Sequence, residues 1–210
     1  MISAYSLSAL HLEALKFSEI QSTVLGILGA VNFYYFSNSK PIKKLSSERH
    51  IKTIRNWYFI ISVTGQTFLH LYGMHYALNS IAIKYTPEKD LKITNDEEFV
   101  PTFLNTVVFL FSAVSQTSIF LFNHVGEPHM EGLVKNTRYL KFLIIPLVAS
   151  LFLVFDLSPD ISELAELSFK DVPYNANIEL TQVLAIVIVG NYLLERTLKF
   201  MKYKKFYDYI

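Results

Sequence analysis

The sequence predicts an all-α fold, a polytopic membrane helix bundle of five transmembrane helices plus the end of a preceding one. Three observations carry that expectation. Hydrophobic residues make up 51% of the 210 positions and charged residues 18%, against about 25% charged in ordinary soluble domains; mean hydropathy is +0.31. Long runs without Asp, Glu, Lys or Arg recur along the chain, and roughly 20 mostly apolar residues suffice for a helix to cross the hydrocarbon core. The basic residues cluster in alternate loops between those runs, as membrane orientation requires.

The chain reads as a single membrane domain, 1–210, with no soluble domain, internal repeat or low-complexity segment. Three runs are uncharged outright: IQSTVLGILGAVNFYYFSNS at 20–39, NWYFIISVTGQTFLHLYGMHYALNSIAI at 56–83, and FVPTFLNTVVFLFSAVSQTSIFLFN at 99–123. Two shorter ones, FLIIPLVASLFLVF at 142–155 and LTQVLAIVIVGNYLL at 180–194, reach spanning length when their flanking charges lie among the headgroups. The expected spans are therefore about 19–39, 56–83, 100–123, 139–157 and 178–198. Pro101 is expected in the first turn of its helix, where a missing N–H costs little. Pro146, inside the fourth span, predicts a kink.

Orientation follows from the loops. The first holds Lys40, Lys43, Lys44, Arg49, Lys52 and Arg55; the next Lys84, Lys89 and Lys92; the third Lys135 and Arg138; the fourth Lys170; the tail Arg196, Lys199, Lys202, Lys204 and Lys205. The positive-inside rule places the first loop and the tail in the cytosol, which five spans satisfy. Trp57, Tyr58, Tyr34 and Tyr35 then fall at the cytosolic interface, where amphipathic rings are favoured. The net charge of +1 decides nothing, and the absence of cysteine excludes disulfides and thiolate metal sites.

The densest chemistry is NHVGEPHMEGLVKN at 123–136, where His124, Glu127, His129 and Glu131 are all metal-ligand types. A helical zinc pair wants histidines four apart. Here they are five apart with Gly126 and Pro128 between them, which argues for a turn and for no metal. No Asp, Glu, Lys or Arg lies near a span midpoint, so the usual pattern of an ion pump or proton relay is missing. The uncharged polar residues within the runs, Asn32, Gln66, His70, Asn105, Gln116, Gln182 and Asn191, with Glu195 near the end of the last, read mainly as interhelical hydrogen-bonding groups. Gln66 and His70 share a helix face, as do Asn191 and Glu195. The set does not form a polar stripe visible in the sequence. Gly26 and Gly29 permit close helix contact. There is no P-loop or nucleophile elbow, and nothing calls for nucleic acid.

The stretch FNHVGEPHMEGLVKN resembles the cytosolic turn near the C-terminus of the endoplasmic-reticulum type-V P-type ATPases of class A. Their pattern there is Asn-Tyr-x-Gly-x-Pro-Phe-Met-Glu-x-Leu. Asn123, Gly126, Pro128, Met130, Glu131, Leu133 and Asn136 fit it, while His124 and His129 stand where aromatics are usual. ISAYSLSALHLEALKFSEIQST from Ile2, SKPIKKLSSERH from Ser39, EEFVPTFLNTVVF from Glu97 and FKDVPYNANIELTQVLAIVIVGNYLLE from Phe169 are similar to that family's segments in the same order.

The resemblance implies the C-terminal membrane region of a helix dislocase, an enzyme that uses ATP to remove mis-inserted transmembrane segments and that was earlier described as a cation or manganese transporter. It implies the endoplasmic-reticulum membrane, a multi-pass chain and a cytosolic C-terminus. Its implied partners are the lipid bilayer, the remainder of the parent ATPase and client transmembrane segments. The family's D-K-T-G-T phosphorylation motif is absent from these residues. The expectation is thus no cofactor in this chain, ATP and Mg in the parent, and residues 1–16 as the end of a fifth helix. Asn32 is the residue expected near the substrate groove. The rival expectation is a free-standing, non-enzymatic membrane scaffold or partner subunit.

Overall fold

The computed structural model describes residues 2–12, 15–43, 56–87, 99–124, 126, 128–169 and 172–207, with side chains described as far as Met201. Lys44, Arg49, Lys52, Arg55, the 88–98 loop with Lys89 and Lys92, Glu127 and Lys170 lie outside the described residues, as do the side chains of Lys202, Lys204 and Lys205. The described residues are helical, without a strand; an isolated antiparallel bridge joins Pro41 to Met130.

Among the described residues seven helices succeed one another. Helix α1 is Ile2–Leu12, α2 is Glu19–Ser37 and α3 is Trp57–Tyr76, which runs on through a π-helical segment, Ala77–Ala82, into a last turn at Ile83–Tyr85. Helix α4 is Phe103–Asn123, α5 is Thr137–Val154, α6 is the short Pro159–Leu164 and α7 is Tyr174–Tyr207.

The ends are set by local chemistry. Ser18 and Gln21 form a reciprocal capping box at the start of α2, satisfying two otherwise orphaned donors. Asn56 caps α3 through the Tyr58 N–H at 2.9 Å, and Asn136 accepts from the Tyr139 N–H at 3.3 Å to start α5. Thr102 caps α4, so Pro101 precedes the helix instead of sitting in its first turn. The Thr102 hydroxyl takes the Asn105 N–H at 3.1 Å, and that bond fixes the boundary. Helix α5 continues through Pro146, with the Ser150 hydroxyl bonded to the Pro146 carbonyl at 2.8 Å. It ends with Leu157 N–H on Phe152 O and Asp156 N–H on Leu153 O, both 3.0 Å, a Schellman motif.

Helix α4 is the hub. Most of its residues are buried, and α1, α2, α5, α7 and the π-helical segment pack around it, while α3 lies along α7. Among the described residues three helices are long and apolar enough to cross a membrane: α4 with mean hydropathy 1.5, α5 with 1.7, and α7 over Tyr174–Met201 with 1.5. Helices α2 and α3 are 19 and 20 residues long, but their amide, imidazole and phenol groups make them more polar.

The surface runs opposite to that of a water-soluble protein. Exposed positions include Val24, Ile27, Phe33, Ile60, Val63, Phe68, Ile145, Val148, Phe152, Ile186 and Val189. Buried ones include Gln21, Asn32, Gln66, His70, Asn105, Asn191 and Glu195. Hydrocarbon solvates such a face at no cost, and it obliges polar groups to find partners inside.

Candidate functional site

The buried polar groups converge in two adjacent layers between α3, α4 and α7. In the first, Glu195 of α7 accepts hydrogen bonds from Tyr58 Oη at 3.0 Å, from Gln66 Nε2 at 2.7 Å and from Ser62 Oγ. Gln66 and Asn123 exchange amide bonds of 3.0 and 2.8 Å, tying α3 to the end of α4. In the second, His70 lies between Ser115 Oγ at 3.1 Å from Nδ1 and Asn191 Nδ2 at 3.2 Å from Nε2. Asn191 Nδ2 also donates to Val187 O at 2.7 Å, which fixes the amide's orientation. An amide nitrogen only donates, so Nε2 accepts and Nδ1 carries the ring proton.

Helix geometry explains the convergence. Tyr58, Ser62, Gln66 and His70 are spaced by four and make one face of α3, and Asn191 and Glu195 make the facing ladder on α7. Small residues let the two helices close: a Cβ on Gly73 would strike Val187 and Phe111, and one on Gly65 would lie 2.8 Å from Leu194.

This polar wall borders a cavity of 1320 Å³ between α1, α2, α3 and α4. Its polar lining includes Ser6, Ser62, Gln66, His70, Gln116 and Glu195, and Ser6 bonds Ser112 at 2.9 Å across α1 and α4. Its other wall is small and apolar, from Leu25, Gly26, Gly29, Ala30 and Phe33 of α2. Two of the scattered amides, Gln66 and Gln116, thus meet Ser6, Ser62, His70 and Glu195 around one cavity, a grouping the sequence does not display because its members come from four helices. Gly26 and Gly29 do not seat a neighbouring helix backbone. A Cβ at Gly26 meets nothing within 4 Å, and one at Gly29 would meet the Gln116 amide at 2.6 Å.

The other anticipated residues fall elsewhere. Asn105 donates to Lys16 O at 2.8 Å, fastening the α1–α2 connection. Gln182 is exposed; nine residues from Asn191 is about two and a half helical turns, which puts it on the opposite face. Asn32 is buried, donates to Leu28 O at 2.8 Å, leaves Oδ1 without a partner among the described residues and is outside the cavity lining. Tyr58, Ser62, Ser115, Ser6 and Ser112 were missed by sequence reasoning. The four-residue ladder from Tyr58 to His70 was the available signal for the first two.

The 123–136 stretch is a turn. Ile42 N–H bonds His129 O at 3.1 Å and Glu131 N–H bonds Lys40 O at 2.8 Å, so the turn is stitched to the chain leaving α2. Gly126 is required by close approach, since a Cβ there would lie 2.5 Å from the Glu131 and Gly132 backbone. His124 stands edge-on to Phe36 and Tyr139, ring centroids 5.7 and 5.4 Å away, an aromatic's position. Burial pushes its pKa below the usual imidazole range. Among the described residues no three His, Cys, Asp or Glu side chains come together as a metal group.

A helical bundle with helices long and apolar enough to cross a membrane and with an apolar exterior is of the integral-membrane class. Sequence comparison narrows the class. The chain is 34% identical over 200 residues to the endoplasmic reticulum transmembrane helix translocase of Schizosaccharomyces pombe and 32% identical over 200 residues to that of Saccharomyces cerevisiae, covering 95% of this chain in each case. It is 27% identical over 199 residues to an Arabidopsis thaliana protein named as a probable manganese-transporting ATPase. Along 95% of its length the chain is similar to proteins named endoplasmic reticulum transmembrane helix translocases. It spans about 16% of the length of these relatives. No family model matches the chain.

Proposed function

We propose that the chain is the C-terminal membrane domain of a P-type ATPase that extracts or flips mis-inserted transmembrane segments in the endoplasmic-reticulum membrane. The observation that carries this reading is the similarity along 95% of the chain to proteins named transmembrane helix translocases. In this reading α2, α3, α4, α5 and α7 are the five spans and the C-terminus is cytosolic. ATP and Mg act in portions of the parent outside these 210 residues, and the helices described here support the transport path.

The cavity's chemistry favours a polypeptide client over the cation in the Arabidopsis relative's name. Among the described residues its lining is largely apolar and includes one carboxylate, Glu195, whereas divalent sites gather several oxygen ligands at close range. Asn32, whose Oδ1 has no partner among the described residues, remains the groove residue of this reading on the family resemblance, apart from the cavity, whose lining does not include it.

The test is to raise an antibody to residues 199–210 and recover the native antigen from membranes. An antigen several-fold heavier than 24.2 kDa that hydrolyses ATP and crosslinks to a mis-inserted tail anchor supports the reading. A species near 24 kDa without ATPase activity establishes the free-standing scaffold or partner subunit instead.

A further inference from the structure

Helix α6, Pro159–Leu164, follows closely on the end of α5, a helix long and apolar enough to cross a membrane. It presents three faces. Ile161 and Leu164, three apart, are 53% and 69% exposed, and Leu157 just ahead of the helix is 61% exposed. Asp160 and Glu163, also three apart, are exposed on a second side, while Ser162 is buried against the bundle. At 3.6 residues per turn these three directions diverge by about 100° or more, so the apolar side chains, the acids and the bundle contact lie on separate faces.

The rotation of α6 is fixed by its anchorage. Gln21, buried in the first turn of α2, donates through Nε2 to Ala165 O at 3.3 Å and to Glu166 O at 3.2 Å. Leu167 N–H closes on Ser162 O at 2.8 Å, and Leu167 itself packs into the core. Ser168 N–H then bonds Thr106 Oγ1 of α4 at 2.9 Å. So held, the helix cannot roll Ile161 and Leu164 inward, and a cluster of exposed aliphatic side chains marks an interaction surface.

Continuity identifies what covers that surface. Ile145, Val148 and Phe152 form an exposed apolar stripe on α5, a face that hydrocarbon solvates, and Leu157, Ile161 and Leu164 prolong it along the chain. Tyr174, exposed at the start of α7, has its ring 5.8 Å from that of Phe155 at the end of α5. An amphipathic ring there is at home at the level of the headgroups.

We propose that α6 is an interfacial helix. It seats Leu157, Ile161 and Leu164 in the headgroup–acyl boundary of the leaflet at which α5 ends, with Asp160 and Glu163 turned to water. Amphipathic helices lying in that boundary sink their apolar face by about 5–10 Å. An acidic outer face fits a leaflet whose surface is not anionic, which in the five-span reading is the lumenal one. Because Gln21 ties α6 to α2, the seat also sets the depth of that end of α2 in the bilayer. The proposal stands on the membrane-type bundle and is independent of what the parent protein moves.

The experiment uses the full-length parent protein in microsomes whose phospholipids carry tritiated oleoyl chains. Photo-crosslinking benzoylphenylalanine is placed singly at Ile161, Leu164, Asp160 and Glu163, and at Phe152 as the lipid-facing reference. The expected tritium on the protein is about fivefold higher from 161 and 164 than from 160 and 163, and within about twofold of that from 152. Ile161→Cys, Leu164→Cys, Asp160→Cys and Glu163→Cys give a second readout with smaller side chains. In permeabilised microsomes a membrane-impermeant maleimide should label the cysteines at 160 and 163 about fivefold faster than those at 161 and 164. Equal labelling at all four positions, or tritium from 152 alone, overturns the proposal. A protein adduct in place of tritium at 161 and 164 also overturns it, because another polypeptide then covers the face.

Discussion

Gln66 and Asn123, 57 residues apart, face each other as a reciprocal amide pair, each donating to the other's carbonyl oxygen at 3.0 and 2.8 Å. The pair joins the face of α3 that carries Ser62 and His70 to the last residue of α4, where the 123–136 turn begins. Replacing either residue by Ala leaves the other amide's carbonyl oxygen without this donor, and each single change should cost about 1–3 kcal/mol. A double-mutant cycle in detergent should return a coupling of about 0.5–2 kcal/mol, the range for polar pairs between membrane helices. Strict additivity would show that the pair is incidental.

Gly126→Ala should be among the most damaging single changes in the turn. The added methyl meets backbone of Glu131 and Gly132 at 2.5 Å, and backbone cannot swing aside as a side-chain end can. A loss of about 2–4 kcal/mol is expected, read as a lower thermal midpoint of the full protein. Gly132→Ala is the matched control, because its added Cβ meets nothing within 4 Å.

Glu166→Gly should stabilise. Glu166 has φ of 52° at the end of α6, where Leu167 N–H bonds Ser162 O at 2.8 Å and its own N–H bonds Glu163 O at 3.0 Å. That is the left-handed position of a Schellman motif, which Gly occupies without a Cβ penalty. The expected gain is about 0.5–1 kcal/mol, with Gln21 still donating to the residue-166 carbonyl at 3.2 Å. Denaturation at matched protein concentration reads it, and a lower stability refutes it.

His124 gives the turn a pH dependence whose sign is fixed. Its folded pKa is lowered from 6.5 by burial, so below pH 6.5 the unfolded chain takes up a proton that the folded chain resists. Stability contributed by this residue is therefore full above that pH and falls as the pH drops toward the folded value. His124→Phe should abolish this component and keep the edge-on contacts with Phe36 and Tyr139. A stability–pH curve unchanged by the substitution would remove His124 from the account.

Five spans make a topological prediction. A glycosylation acceptor inserted between Ser158 and Pro159, ahead of α6, should be modified in microsomes, and one appended after Ile210 should not. Modification of the C-terminal acceptor would reverse the assigned orientation.

The sequence by itself determined that this is a membrane-type helical chain, because uncharged runs of bilayer length are a local property that no neighbour alters. It also determined that 123–136 turns, since Gly and Pro act through their own backbone chemistry; that Asn136 caps the next helix came from the structure. Periodicity placed Gln66 with His70 and Asn191 with Glu195. Only the tertiary structure decided that these two faces meet, that Ser115, Tyr58 and Asn123 complete them, and that Gln182 looks outward. The reason is rotational. A helix's sequence states which residues share a face, but the angle at which that face is turned is set by packing against other helices. Here the packing runs through Gly65 and Gly73 against Leu194 and Val187 and through buried α4. The cavity and the burial of Glu195 on its wall are products of that packing.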